Sequence, residues 1–257
     1  MIKLTVKNLT LTYPLISTDS YLLRARILRK IFNFFKLNKN IDTNNFTKKK
    51  NLTALNNVSF QIVEGDILGL IGFNGSGKST LLKCLAKILP PTTGSIDIEG
   101  ADFLPIIQPY SMCEPGDTVV NNIHLLGRIL GFKNKNILEK IDEIINFAEL
   151  TEYKNLALAS LSMGMKFRLV FAICFILEGK NIYFIDEFLM TGDEKFQNKS
   201  FNLINKKKDK IIVICSHSRS IIEKLCNKLL ILEKGNLTYF GNAQEGLQKY
   251  VDAVNLK

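Results

Sequence analysis

Long apolar runs are missing from this chain of 257 residues. The longest, residues 169–177, is nine residues, against roughly 20 for a membrane-spanning helix. No secretory leader is expected either. Met1 opens the alternating pattern IKLTVKNLTLTY rather than a charged segment followed by an apolar one. No Cys-x-x-Cys pair occurs, and the five cysteines (Cys84, Cys113, Cys174, Cys215, Cys226) are odd in number. Four of them sit in apolar surroundings, where cysteine acts as a small core residue. The expectation is a reducing cytosol rather than a disulfide framework. No internal repeat recurs at solenoid periods.

Acidic residues are scarce in one region only. The net charge is +10, but residues 1–58 hold eleven Lys/Arg and two Asp, while the remainder holds 23 basic and 22 acidic side chains. The excess belongs to the N-terminal region. That argues against a nucleic-acid footprint over a whole face and fits a local patch aimed at something anionic. Within it, residues 21–36 read YLLRARILRKIFNFFK. At 100° per residue, Leu23, Ile27, Leu28, Ile31, Phe32, Phe34 and Phe35 fall on one half of a helical wheel. Arg26, Arg29, Lys30, Asn33 and Lys36 fall on the other. Leu22 and Arg24 break the pattern. Three readings compete: a helix packed on the body with its cations solvated, an idiosyncratic insertion, or a segment lying at a membrane interface. A polar stretch without periodicity, NKNIDTNNFTKKKN, follows as a loop, so residues 15–52 form a basic insertion.

The apolar fraction of 46% supports an ordinary core. NVSFQIVEGDILGLIG predicts two strands around a Glu-Gly-Asp turn. A helix is expected over residues 78–89, stopped by the Pro-Pro pair. SIDIEG predicts a short strand. TVVNNIHLLGRIL and ILEKIDEIINFAEL carry helical stripes, and a third helix should start near Met163. NIYFIDE, KIIVICSH and KLLILEKG predict buried parallel strands, and a last helix spans about 243–254. The expected fold is an α/β body with a helical subdomain inserted at 112–178.

GFNGSGKST matches G-x-x-x-x-G-K-[ST] over residues 72–79, between an apolar strand and a helix. Its glycines let backbone N–H groups turn toward phosphate oxygens, and the helix N-terminus adds a favourable field. Gly72, Asn74, Gly75, Ser76, Gly77, Lys78, Ser79 and Thr80 are the expected phosphate cradle. Lys78 should reach the β- and γ-phosphates of ATP, and Ser79 should ligate Mg²⁺. IYFIDE supplies Asp186 for the Mg²⁺ shell and Glu187 as the general base. The rival reading is a strand that simply ends in two solvated acids. His217 ends a predicted strand at the carboxyl edge, where doubly wound sheets place ligands, and is expected at the γ-phosphate. His124, on a helix, reads as structural.

LSMGMKFRLVFA resembles the signature segment of ABC ATPases. Phosphate loop, signature, IYFIDE and the Ser-His pair follow that family's order and spacing. FLMTGDEKFQ is similar to a stretch of one branch, the ATP-binding subunits that export O-antigen, capsule or teichoic-acid polysaccharides. The resemblance covers most of residues 1–250. It implies an ABC-type nucleotide-binding domain, a P-loop NTPase sheet core with an antiparallel β subdomain. It also implies that Tyr13 stacks on adenine, that Gln108 senses Mg²⁺ and the transport subunit, and that Asp193 lies in a loop at the dimer interface. Ser162 and Gly164 would bind the γ-phosphate of ATP held by a second copy. A packed strand aromatic is the alternative for Tyr13. Met163 stands where Ser or Gly is usual, Phe73 where Arg is common, and YSMCEPGDTV departs from the branch's pattern beyond Gln108. The implied function is ATP hydrolysis that drives export of a lipid-linked polysaccharide. It would take place at the cytoplasmic face of the membrane, through a separate integral membrane permease and without nucleic acid. Another transport branch, or a soluble ABC ATPase, is the alternative. Because the chain ends soon after its last predicted helix, a C-terminal glycan-binding β domain is not expected.

Overall fold

The computed structural model describes residues 2–15, 50–107, 109–186, 193–207 and 209–255. The basic segment at 21–36, Gln108 and Glu187 lie outside the described residues. Strand β1 (Lys3–Leu15) runs antiparallel to β2 (Lys50–Val63). Along β1 the buried set shifts phase, from Leu4 and Val6 to Leu9 and Leu11. The cause is a bulge at Asn8, whose φ of 49° is tolerated by asparagine. The Glu-Gly-Asp turn then leads to β3 (Ile67–Ile71) and the helix α1 (Lys78–Leu85).

Helix α1 stops short of the Pro-Pro pair. Lys87 takes a φ of 55°, its N–H bonds to the Cys84 carbonyl at 2.9 Å, and the Ile88 N–H bonds to the Lys83 carbonyl at 2.9 Å. These two bonds make a Schellman cap, so the chain leaves the helix before proline could end it. Burial of Cys84 on this helix pushes its thiol up to about 11, which keeps it inert.

Strand β4 (Thr93–Glu99) completes a three-stranded sheet in the order β2-β1-β4. Strand β5 (Phe103–Ile106) follows, then the helices α2 (Val119–Ile129), α3 (Asn134–Ala148) and α4 (Met163–Ile176). Next come β6 (Ile182–Ile185), α5 (Glu194–Asn205), β7 (Ile211–Cys215) and α6 (Arg219–Leu225). The described chain closes with β8 (Lys228–Glu233), β9 (Asn236–Asn242) and α7 (Ala243–Asn255). The second sheet has the order β5-β6-β7-β3-β8-β9, parallel except for β9. The mixed α/β body with a separate antiparallel sheet is the expected fold class.

This parallel sheet is buried on both faces, and its side chains alternate between two cores. Ile182, Phe184, Ile211 and Val213 join α1 and the antiparallel sheet on one face. Tyr183, Ile185, Ile212 and Ile214 join α2, α3 and α4 on the other. From Leu169 to Ile176 helix α4 is apolar around its circumference because it is enclosed, which accounts for the longest apolar run as a core helix. Gly127 of α2 admits close contact with α3, since a Cβ there would lie 2.8 Å from Ile137 Cδ1. Aromatic rings form a column from α4 to the sheet, Phe171 to Phe175 at 4.5 Å and Phe175 to Tyr183 at 5.2 Å. Among the described residues no helix is long and apolar enough to cross a membrane.

Candidate active site

The strands β3, β6 and β7 are parallel, so their carboxyl ends share one edge of the sheet. That edge carries the phosphate loop after Ile71, Asp186 after β6, and Ser216 with His217 after β7. Asp186 is half-buried, and its N–H bonds to the Ile106 carbonyl at 3.2 Å. Ser216 is fully buried, and its N–H bonds to the Leu70 carbonyl at 3.3 Å, which ties β7 to β3 beside the loop. His217 stands exposed at the rim.

The loop owes its path to glycines used in two ways. A Cβ on Gly72 would come within 2.3 Å of the Leu232 carbonyl, and one on Gly77 within 2.5 Å of the Ala54 carbonyl. These two glycines allow the loop to sit down on its neighbours. Gly75 has a φ of 76° and open space where a Cβ would stand, so there it is the backbone conformation and not crowding that favours glycine. From below, the two-residue hairpin turn at 234–235 supports the loop. The Gly235 N–H bonds to the Ser76 carbonyl at 3.0 Å, and the Gly235 carbonyl accepts from Asn56 N–H at 2.9 Å. Both turn residues have positive φ, as a tight hairpin turn requires. Sequence reasoning did not single out this prop, because its partners are far apart in the chain.

Lys78 is buried at 6% exposure, and its ammonium donates to the carbonyls of Gly72 at 2.8 Å and Phe73 at 3.1 Å. Helix α1 has no acidic residue in its first turn, so its N-terminal field favours an anion. Asn74 and Ser79 are exposed, Thr80 is half-buried, and the Ser76 side chain is buried. The donors, the open Gly75 and the buried cation fit a di- or triphosphate. Among the described residues no group of three or more His, Cys, Asp or Glu side chains gathers into a metal site. The Ser79 hydroxyl and the Asp186 carboxylate on this edge are hard oxygen donors, of the kind that suits Mg²⁺ carried on a nucleotide's phosphates.

Ser162 caps α4, its hydroxyl accepting the Met165 N–H at 3.2 Å. Gly164 lies in the same exposed first turn, and a Cβ on it would meet nothing within 4 Å. This turn and the phosphate loop are not brought together. Helix α4 is rooted in the core on one face of the sheet and α1 in the core on the other. Tyr13 is half-buried on β1 against the second of these cores. Asp193 caps α5 by accepting the Phe196 N–H at 2.8 Å. Phe196 itself is buried and meets Phe171 edge-on at 5.9 Å. Asp193 and Phe196 therefore act here as a cap followed by a core plug.

A phosphate loop beside a carboxylate and a histidine, all on the carboxyl edge of a parallel sheet with a second antiparallel sheet alongside, defines a P-loop nucleotide-binding cassette. The comparisons with known proteins are more specific. A family model described as ABC transporter matches residues 55–190, and the chain belongs to that family. The chain is 38% identical to the teichoic acids export ATP-binding protein TagH of Bacillus anthracis over 77% of its own length and 36% of that protein. It is 35% identical to the O-antigen export system ATP-binding protein RfbE of Yersinia enterocolitica, over 91% of its length and 96% of that protein. The chain spans less than two thirds of the TagH relatives from Bacillus anthracis and Listeria innocua, 36% and 62%. In fold it is similar to a dimeric, post-hydrolysis ATP-binding cassette, MJ0796, bound to ADP and Pi. There the TM-score is 0.69 at 20% identity, over 93% of this chain and 98% of that one.

Proposed function

We propose that this chain is the ATP-hydrolysing subunit of an exporter. Its cargo is a lipid-linked polysaccharide of O-antigen, capsule or teichoic-acid type, moved across the cytoplasmic membrane. The observation that carries this reading is the identity to the O-antigen relative over nearly the full length of both chains. The subunit works on the cytoplasmic face, attached to an integral membrane permease, with residues 112–178 as its helical arm.

Backbone N–H groups of the loop and of the first turn of α1 hold the β- and γ-phosphates, and Lys78 meets their charge. Ser79, Asp186 and Gln108 would hold Mg²⁺, which would neutralise charge on the phosphate oxygens. Glu187 takes a proton from the water whose oxygen attacks the γ-phosphorus. The bond from that phosphorus to the bridging oxygen breaks, and ADP leaves. His217 meets the γ-phosphate, and Tyr13 stacks on adenine. Ser162 and Gly164 act on ATP held by a second copy paired head to tail. The rooting of α1 and α4 on opposite faces of the sheet supports that pairing.

The test is isolation of the tagged chain from detergent-solubilised membranes, together with a count of surface polysaccharide in cells lacking it. An integral membrane protein should come with it, and the surface polysaccharide should disappear. A chain that brings no membrane protein, and whose loss leaves the surface unchanged, overturns the reading.

A further inference from the structure

We infer that Tyr250, on the C-terminal helix, is a positioning residue for the phosphate loop, acting through the ring of Phe73. This rests on the reading of residues 72–80 as the nucleotide site. The two rings lie 5.9 Å apart at 44°, within the range of a favourable aromatic pair. Phe73 is the loop residue that joins the glycine turn to Lys78. Its carbonyl accepts both the Ser76 N–H and the Lys78 ammonium, each at 3.1 Å. A contact that restrains the Phe73 ring therefore acts on the residue whose carbonyl closes the loop and carries the lysine.

Tyr250 is in turn anchored. It packs half-buried against a small core made by Ile71, Ile222, Leu229, Ile231, Ala243 and Leu247. The same tyrosine lines a cavity of about 250 Å³ together with Ile71 and His217. Helix α7 thus packs on the strand end that launches the loop, and the ring pair extends that contact onto the loop itself. An ordered loop binds more tightly than a loose one, because less conformational freedom is lost when the phosphates arrive. Phe73 is 40% exposed, and the Tyr250 ring stands beside it.

The experiment is titration of the purified chain with a fluorescent ATP analogue, for Tyr250→Ala, Tyr250→Phe, Phe73→Ala and the Tyr250→Ala/Phe73→Ala double variant. Each alanine variant should weaken binding by roughly 2- to 10-fold, the scale of one aromatic contact. Tyr250→Phe keeps the ring and should restore affinity. The double variant should bind no more weakly than either single one, because both remove the same contact. Tyrosine that merely seats α7 would give a lower melting temperature and additive losses, and that outcome overturns the proposal. Phe73→Ala alters an exposed loop side chain and tests the link even if Tyr250→Ala fails to fold. Unchanged affinity in Phe73→Ala also overturns it. Lys78→Ala separates this inference from the reading beneath it. If Lys78→Ala binds as the parent does, the nucleotide site itself is wrong. If Lys78→Ala loses binding while the aromatic variants do not, only the positioning role falls.

Discussion

The ammonium of Lys78 donates to the carbonyl of Gly72 at 2.8 Å, so the end of the phosphate loop clasps its beginning. The cation is held in place before any phosphate arrives. Lys78→Ala removes both the clasp and the charge. Affinity for an ATP analogue should fall about 10- to 100-fold, the scale of a lost hydrogen bond to a charged group. Equilibrium titration measures this directly.

Glu187→Gln should separate binding from turnover. The glutamine keeps the shape of the side chain but cannot take a proton from water. Nucleotide affinity should stay within about twofold, while hydrolysis falls at least about 100-fold, within the range of general-base effects. Size-exclusion chromatography with ATP should show the variant accumulating as a dimer. Near-normal hydrolysis in the complete transporter would remove Glu187 from the role of base.

Gly164→Asp tests the exposed turn of α4 without disturbing the fold. Nothing lies within 4 Å of a Cβ there, and an acid in the first turn of a helix stabilises it slightly. Melting temperature and ATP affinity should match the parent. Turnover should fall at least about 100-fold, as when one positioned donor to developing charge is lost. A parent-like rate would show that this turn never meets a phosphate.

Replacing Arg24, Arg26, Arg29 and Lys30 together with Gln tests the basic segment, which lies outside the described residues. Nucleotide binding by the chain alone should not change, because the loop is untouched. Polysaccharide export in cells should fall sharply if these cations meet anionic lipid or a pyrophosphate-bearing substrate, where each is worth about 1 kcal/mol near a membrane surface. Normal export would leave the segment a packing element.

Much of the fold was legible because its signals are local. Alternation in β1, the continuous apolar runs of β6, β7 and β8, and the stripes of α2 and α3 each fit inside a few turns of chain. The phosphate loop was legible for the same reason. Other elements carried weak or misleading signals. Strand β5 is short and contains Pro105, which reads against a strand but is allowed on the sheet edge where β5 lies. Strand β9 has no fully buried residue, and gains its place by pairing with β8. The end of α1 was assigned to proline, whereas Lys87 adopts a conformation that sequence rarely announces. The Asp193–Phe196 cap-and-plug and the Phe73–Tyr250 pair were not legible as structure. Phe196 needs Phe171 from α4, and Phe73 needs a ring from the far end of the chain. Distance in sequence hid both.

Because α1 and α4 stand on opposite faces of one sheet, the proposed pairing makes damage divisible. A chain broken at Lys78 still lends an intact Ser162 and Gly164 to its neighbour. A chain broken at Gly164 still lends an intact loop. Brought together, the two lesions collect in one composite site and leave the other whole. Alleles that are each inactive alone would then rescue one another in trans, as half-defective tools do when two people share them.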